Sequence, residues 1–475
     1  MKKSFNNKRG LTREIGLSSA TVLVIANMVG TGVFTTSGFI LKELGDPRAL
    51  LLCWLFGGLF ALCGAFCFGE LGARFPQAGG EYVFLRESFG RAPAFLSGWI
   101  SLFVGFSAPI AAASIAFSSY FHQAFGLPVG GEFVLSPFGV PIITFSRFNL
   151  IALLVIGTFT LIHYYGLRTG TRVQNWLTIF KLTLIIAFIV AGFAFGQGSI
   201  QHFSVQQDLF AAFSSEKFAV SLIFVSFAYS GWNAAAYLGG EIINPRRNIP
   251  YALVLGTVVV TVLYLLLNAI YIYAVPVDQL AGEVEVGAKA AVGLFGNNIS
   301  RFFSGAVALG LLSVVSAMVM TGPRIYYAMS QDGVFFSVFG KLNPLHHTPA
   351  SSIFLQAAIA TIMVLSASFE TLLIYIGFTL SLCAMLTVVG LMRIRRRDGK
   401  NPDLYQTPGY PLTPLLFIAA NCWIIFFSIR SQPVAVLFAL GTIAAGMVVY
   451  LFTTPQKKQE SDPARIEAPE TEPTY

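Results

Sequence analysis

Apolar stretches of about 20 residues recur from one end of the chain to the other, separated by short polar segments. Their approximate cores are 15 to 39, 48 to 72, 93 to 121, 148 to 166, 173 to 196, 217 to 240, 249 to 274, 300 to 329, 349 to 368, 370 to 392, 411 to 431 and 433 to 453. Each is long enough to cross roughly 30 Å of hydrocarbon as a helix. The pattern therefore predicts an all-α integral membrane protein with twelve transmembrane helices. The longest connecting segments, 122 to 147 and 275 to 299, contain Gly and Pro but no sustained strand pattern, and 286 to 296 is expected to form a short helix over the external face.

Two of the spans are interrupted. The first reads IANMVGTGVFTTSGF, broken at Gly30, Thr31 and Gly32; the sixth reads FVSFAYSGWNAAAYLGGE, broken at Ser230 and Gly231. Glycine costs about 1 kcal/mol in a helix relative to alanine, and for one helix alone close packing of small residues is a sufficient explanation. Two interruptions at matching positions in two five-helix halves point instead to inverted repeats around a midplane site. Lipid cannot satisfy freed N–H and C=O groups, so unwound backbone at that depth has to face protein or a water-filled cavity. Half-helix N-termini suit a carboxylate and half-helix C-termini an ammonium, and an α-amino acid carries both on one carbon.

Composition agrees with lipid as the solvent: 55% of the residues are hydrophobic and only 11% charged. The net charge of +8 is spread over many loops, which argues against a nucleic-acid partner. With the N-terminus in the cytoplasm, the cytoplasmic segments before the tail hold 19 Lys/Arg and the external segments seven, so both termini are expected on the cytoplasmic side of the inner (plasma) membrane. The basic segment 1–14 is expected to be retained rather than cleaved. The transporter domain is then 15–454, with repeat one at about 15–196, repeat two at about 217–392 and two extra helices at about 411–453. The polar, Pro/Glu-rich stretch 455–475 is expected to be a disordered cytoplasmic tail. All five cysteines fall in apolar spans, and His346-His347 has no carboxylate or cysteine beside it, so neither a disulfide framework nor a metal site is expected.

The same residues resemble the amino acid/polyamine/organocation (APC) superfamily of transporters, and within it the L-type amino acid transporter branch. Gly30-Thr31-Gly32-Val33-Phe34 is similar to that family's GSGIF-type motif, and Phe227-Ala228-Tyr229-Ser230-Gly231-Trp232-Asn233 to its FAYxGWN pattern. Glu70-Leu71-Gly72 with Pro76, Gly79, Gly80 and Tyr82, then Gln174, Lys181 and the EIINPRRNIP run from Glu241 to Pro250, extend the match over roughly residues 10 to 450. The resemblance implies the leucine-transporter fold with broken helices 1 and 6, and secondary transport of amino acids by alternating access. It places a substrate-binding set at Met28, Gly30, Thr31, Gly32, Phe227, Ala228, Ser230 and Asn233. Amides around Thr31 and Gly32 would hold the carboxylate, carbonyls of Met28, Phe227 and Ser230 the ammonium, and Phe227 would act as the external gate. It also implies that Lys181 stands in for the cation bound by sodium-coupled relatives, bracing helix 1 against helix 5 and making transport sodium-independent. Segment 122 to 147 has no cysteine, so the disulfide-linked ancillary subunit of mammalian relatives is not expected.

The remaining polar residues carry plainer readings. Lys181 is the only basic residue deep in a span, and its alternative is snorkelling to the interface. Glu70 and Glu241 read as interfacial salt bridges, Arg324 as an interface anchor and His163 as structural. No His, Asp, Glu, Cys or Ser cluster of an intramembrane enzyme appears, and no cofactor is implied. Few intramembrane acids are available to pair a cationic side chain, so neutral L-amino acids are the expected substrates. A cationic amino acid or polyamine transporter, or a sensor that binds without flux, are the alternatives. Protons or a counter-transported amino acid are the coupling partners considered.

Overall fold

The computed structural model describes residues 11–127, 133–135, 143–204, 216–283, 285–366, 369–431 and 433–453. Residues 1–10, most of the N-terminal segment, and the tail 455–475 lie outside the described residues. The first span is a pair of helices, α1 (Leu17–Met28) and α2 (Gly32–Leu44), bent by 41° at the break between them. Then come α3 (Pro47–Arg74), the short α4 (Glu81–Phe89), and α5 (Arg91–Ile100), which runs through a π-helical turn at Ser101–Ser107 into α6 (Ala108–Phe125). Helices α7 (Arg147–Tyr164) and α8 (Leu167–Phe195) complete the first half.

The second half starts with α9 (Glu216–Ala228), followed by an irregular turn and the single-turn α10 (Ala234–Tyr237). Its other members are α11 (Pro245–Ala274), α12 (Val286–Phe295), α13 (Ser300–Thr321) with its extension α14 (Pro323–Gln331), α15 (Ala350–Ser366) and α16 (Phe369–Asp398). Two further helices, α17 (Leu412–Ser431) and α18 (Pro433–Thr453), close the chain. Among the described residues eight helices are long and apolar enough to cross a membrane, nine when the bent pair counts as one span. The sixth span falls short because its break leaves only Lys217–Ala228 as continuous apolar helix. Large apolar side chains face outward, among them Trp176, Leu154, Phe302 and Leu437, as a lipid-facing surface requires.

The short helix expected near 286 to 296 is α12. The segment 122 to 147, read as lacking strands, contains a small antiparallel hairpin: Phe133–Leu135 pairs with Ile143–Phe145, with Val134 opposite Thr144. Three residues per strand are too few for the alternating pattern that marks a strand in sequence.

The end of the bundle that holds the N-terminal segment is tied together by backbone and by buried charge. The amides of Glu14 and Ile15 both donate to the Glu241 carbonyl at 2.9 Å, and the Ile243 amide returns a bond to Ile15. Arg324 is not an interface anchor. It is 2% exposed and donates through Nε and Nη2 to the two carboxylate oxygens of Glu241, at 3.1 and 3.0 Å. Pro323 starts α14 directly after α13, and the continued helical path carries Arg324 into the bundle beside Glu241. Lys181 is therefore not the only basic side chain buried there. Glu70 is also buried, and accepts from Arg74, from Arg395 Nε at 2.8 Å and from the Thr407 amide at 2.9 Å, a set of donors that joins α3 to α16 and the segment before α17. His163, as expected, is structural in its surroundings: buried, with Nε2 2.9 Å from Ser316 Oγ.

Removing one member of a buried ion pair leaves the other without compensation, at a cost of roughly 3–5 kcal/mol. Glu241→Gln is expected to lower the melting temperature of the purified protein in detergent by several degrees, and adding Arg324→Met is expected to recover much of the loss. An unchanged melting temperature in the single variant would show that the pair carries no net stabilisation.

Candidate functional site

The break in the first span exposes the last carbonyls of α1, which have no intrahelical partners. Two side chains from other helices cover them. The Lys181 ammonium, from α8, donates to the Val29 carbonyl at 2.5 Å and reaches the Ala26 carbonyl at 3.4 Å. The Tyr264 hydroxyl, from α11, lies 2.6 Å from the Met28 carbonyl. Lys181 is buried, its stem packed against Gly310 of α13, so it is not at the interface.

The break in the sixth span is a turn over Tyr229–Asn233. The Tyr229 amide donates to the Val225 carbonyl at 2.9 Å and the Ser230 amide to the Phe227 carbonyl at 3.0 Å, which ends the helical pattern. The Ala228 carbonyl is left facing the same Tyr264 hydroxyl, at 3.0 Å. One hydroxyl proton thus serves two acceptors, one from each broken helix. Tyr264 was not singled out in the sequence, where a tyrosine in the apolar run LYLLLNAIYIYA reads as ordinary packing.

Glycine is required where the two breaks meet. Gly231 has φ +92°, and a Cβ there would stand 2.8 Å from the Asn27 carbonyl oxygen. A Cβ on Gly32 would lie 2.7 Å from the Ala228 Cα. The two unwound stretches therefore pass in direct contact, closer than any side chain permits. Gly30 differs, because the nearest atom to an added Cβ is Val314 at 3.8 Å.

Beside the breaks lies a cavity lined by Phe227, Ser230, Gly231 and Asn233 of the sixth span, by Asn27 of α1, and across from them by Ser101, Ser381 and Asn421. Among the described residues no acidic or basic side chain lines it. Of the residues expected to bind substrate, Phe227, Ser230 and Asn233 face this space. Met28, Gly30, Thr31, Gly32 and Ala228 are not among its lining residues, because the contact between Gly32 and Ala228 closes the breaks against each other. Asn27, one residue before Met28, was missed. The Asn233 amide is also committed: Nδ2 donates to Glu81 Oε1 at 3.1 Å and to the Tyr237 hydroxyl at 3.2 Å.

Two discontinuous membrane helices abutting beside a neutral polar cavity define a transporter rather than an enzyme. The chain belongs to the amino acid permease family, whose pattern it matches over residues 15–458. It is 29% identical to the mouse b(0,+)-type amino acid transporter 1, across 93% of this chain and 88% of that protein. It is 28% identical to the serine/threonine exchanger SteT of Bacillus subtilis (strain 168), across 93% and 97% of the two chains. With the human large neutral amino acids transporter small subunit 2 it shares 27% identity over 93% of this chain and 80% of that protein. The chain is accordingly an amino acid permease or exchanger.

A left-handed backbone costs a residue with a side chain roughly 1–2 kcal/mol before any clash is counted. Gly231→Ala is expected to lower both the melting temperature and the yield of folded protein, whereas Gly30→Ala, which has room, keeps the wild-type melting temperature. Equal melting temperatures for the two variants would contradict the contact between the breaks. Tyr264→Phe removes the shared donor and leaves two carbonyls unpaired, so it is expected to be destabilising despite its near-identical shape.

Proposed function

We propose that the protein exchanges neutral L-amino acids across the plasma membrane by alternating access, without sodium. The observation that carries this reading is the Lys181 amine seated on the carbonyls of the first helix break, where a coupling cation would otherwise stand. A tethered amine there takes over the work of a coupling cation by supplying the donors that these carbonyls need. The neutral cavity wall and the activities for which the relatives are named, serine/threonine exchange and large neutral amino acid transport, support neutral substrates and exchange.

In this reading the substrate carboxylate meets the amides at the start of α2, around Thr31 and Gly32, where the helix dipole favours negative charge. The ammonium meets carbonyls of the sixth break at Phe227 and Ser230. The Met28 carbonyl joins them only when the Tyr264 hydroxyl turns to its second acceptor at Ala228. Phe227 covers the bound substrate, which requires the breaks to part from their present contact. The architecture that goes with it is twelve spans in the leucine-transporter arrangement: inverted repeats at about 15–196 and 217–392, two added helices at about 411–453, and both termini in the cytoplasm. The protein works without a disulfide-linked subunit, in keeping with the lack of cysteine in 122 to 147.

Purified protein in liposomes preloaded with one unlabelled neutral amino acid is expected to accumulate the labelled form by counterflow, equally well in sodium and in choline. Lys181→Ala is expected to reduce the rate about tenfold or more, in line with the roughly 1.5–3 kcal/mol of a charge-assisted hydrogen bond. Binding without counterflow would favour a sensor, and uptake that collapses in choline yet persists in Lys181→Ala would overturn the role given to the lysine.

A further inference from the structure

Glu81 opens α4, the short helix between the second and third spans, and is 3% exposed. Its position is unusual for a carboxylate. The neighbouring acids Glu70 and Glu241 are each held by arginines, but among the described residues Glu81 has no ion pair. Of the cations on the elements packed around it, Arg91 at the start of α5 and Arg396 on α16 form no ion pair with it, and the others are directed elsewhere. Arg86, on its own helix, pairs with Asp332 and Glu87. On α16, Arg393 lies over the Phe89 ring, Arg395 binds Glu70 and Arg397 pairs with Asp398. On α14, Arg324 is taken by Glu241. The titratable groups that do face Glu81 are the Tyr237 hydroxyl, which bonds to it, and the Cys383 thiol, and neither brings positive charge.

What Glu81 holds is the wall of the cavity. Its Oε1 accepts from Asn233 Nδ2, and the same amide bonds to Tyr237; both residues line the cavity and both belong to the sixth span just past its break. The backbone repeats the connection, since the Gly79 amide donates to the Tyr237 carbonyl at 3.0 Å and Ala78 bridges to Leu238. An ionised carboxylate has acceptor sites for both donors, whereas a protonated one turns one oxygen into a donor. Protonation therefore loosens either Asn233 or Tyr237 from Glu81 and changes which polar atoms the cavity sees.

We infer that Glu81 is a proton-binding, positioning residue of the amino acid site, taking its proton from water in the cavity and setting the orientation of Asn233 by its charge state. The proton enters past Asn233 and Tyr237, neutralises the carboxylate, and returns to cavity water on release. Burial without a compensating cation pushes the Glu81 carboxyl up to about 7, against the opposing bonds from Tyr237 and Asn233. The group is then poised to change charge near neutral pH. This inference rests on the transport reading above, and its test has an arm that does not.

The transport arm compares wild type, Glu81→Gln and Glu81→Asp in proteoliposomes, with the best counterflow substrate among labelled L-serine, L-threonine and L-leucine. Between one pH unit below and one above its pKa a single group changes its protonated fraction about tenfold. Wild-type rates are expected to vary with pH by up to that factor, around neutrality. Glu81→Gln, which keeps an acceptor for Asn233 but cannot ionise, is expected to flatten the profile, and Glu81→Asp to retain a pH dependence. The second arm is the difference in melting temperature between wild type and Glu81→Gln. With the folded value above the ordinary 4.5, the contribution of Glu81 to stability is full below that value, declines as pH rises toward about 7, and levels off beyond it. A Glu81→Gln profile that keeps the wild-type shape overturns the inference, as does a melting difference independent of pH. Absence of flux from wild type at every pH would instead count against the transport reading, and the melting arm would then decide on Glu81.

Discussion

Everything at the centre of this protein depends on finding donors for carbonyl groups that two broken helices leave bare inside a membrane. An unsatisfied carbonyl in hydrocarbon costs several kcal/mol, so a break persists only where another element supplies the missing hydrogen bond. Here the supply comes from long side chains on neighbouring unbroken helices. Lys181 on α8 caps Val29, and Tyr264 on α11 stands between Met28 and Ala228. A charged cap and a neutral one differ in consequence. The ammonium holds its carbonyl firmly, while a hydroxyl with one proton and two acceptors can shift between helices at little cost.

The shared Tyr264 hydroxyl makes the two breaks one unit. Gly32 lies on Ala228 and Gly231 lies on Asn27, so the two breaks are packed directly against each other. In the proposed mode of binding, the charged ends of an amino acid would replace these protein donors and acceptors, and differential affinity for the parted breaks would drive the conformational change. The polar wall beyond, with Asn233 bonded to Glu81 and Tyr237, extends that coupling toward the end of the bundle that holds the N-terminal segment.

That end is held by a different kind of interaction. Buried pairs such as Arg324 with Glu241, and the donors gathered on Glu70, are costly to desolvate and gain from mutual attraction only while their geometry is kept. They therefore behave as latches: strong when closed, strongly unfavourable when only half made. The N-terminal segment shares the latch through its backbone bonds to Glu241 and Ile243, so the region before α1 follows the region after the sixth span.

Periodicity and composition were enough to read an all-helical membrane protein with many apolar spans, the break in the first of them and the short helix near 286 to 296, because each depends on a local run of apolar residues or on a glycine that no helix favours. The FAYSGWN string carried the family for the same reason, being contiguous. Phe227, Ser230 and Asn233 could be placed at the cavity from that string alone. The partners could not. That Tyr264 would meet two carbonyls, that Arg324 would turn inward to Glu241, and that Glu81 would lie buried behind Asn233 are matters of which helix faces pack together, over separations of 36, 83 and 152 residues. Lys181 stood out in sequence as a charge in lipid, yet only the packing of α8 against α1 showed which carbonyls receive it. Local pattern decides where a chain must break in a membrane; only the tertiary fold decides which distant side chain makes the break tolerable.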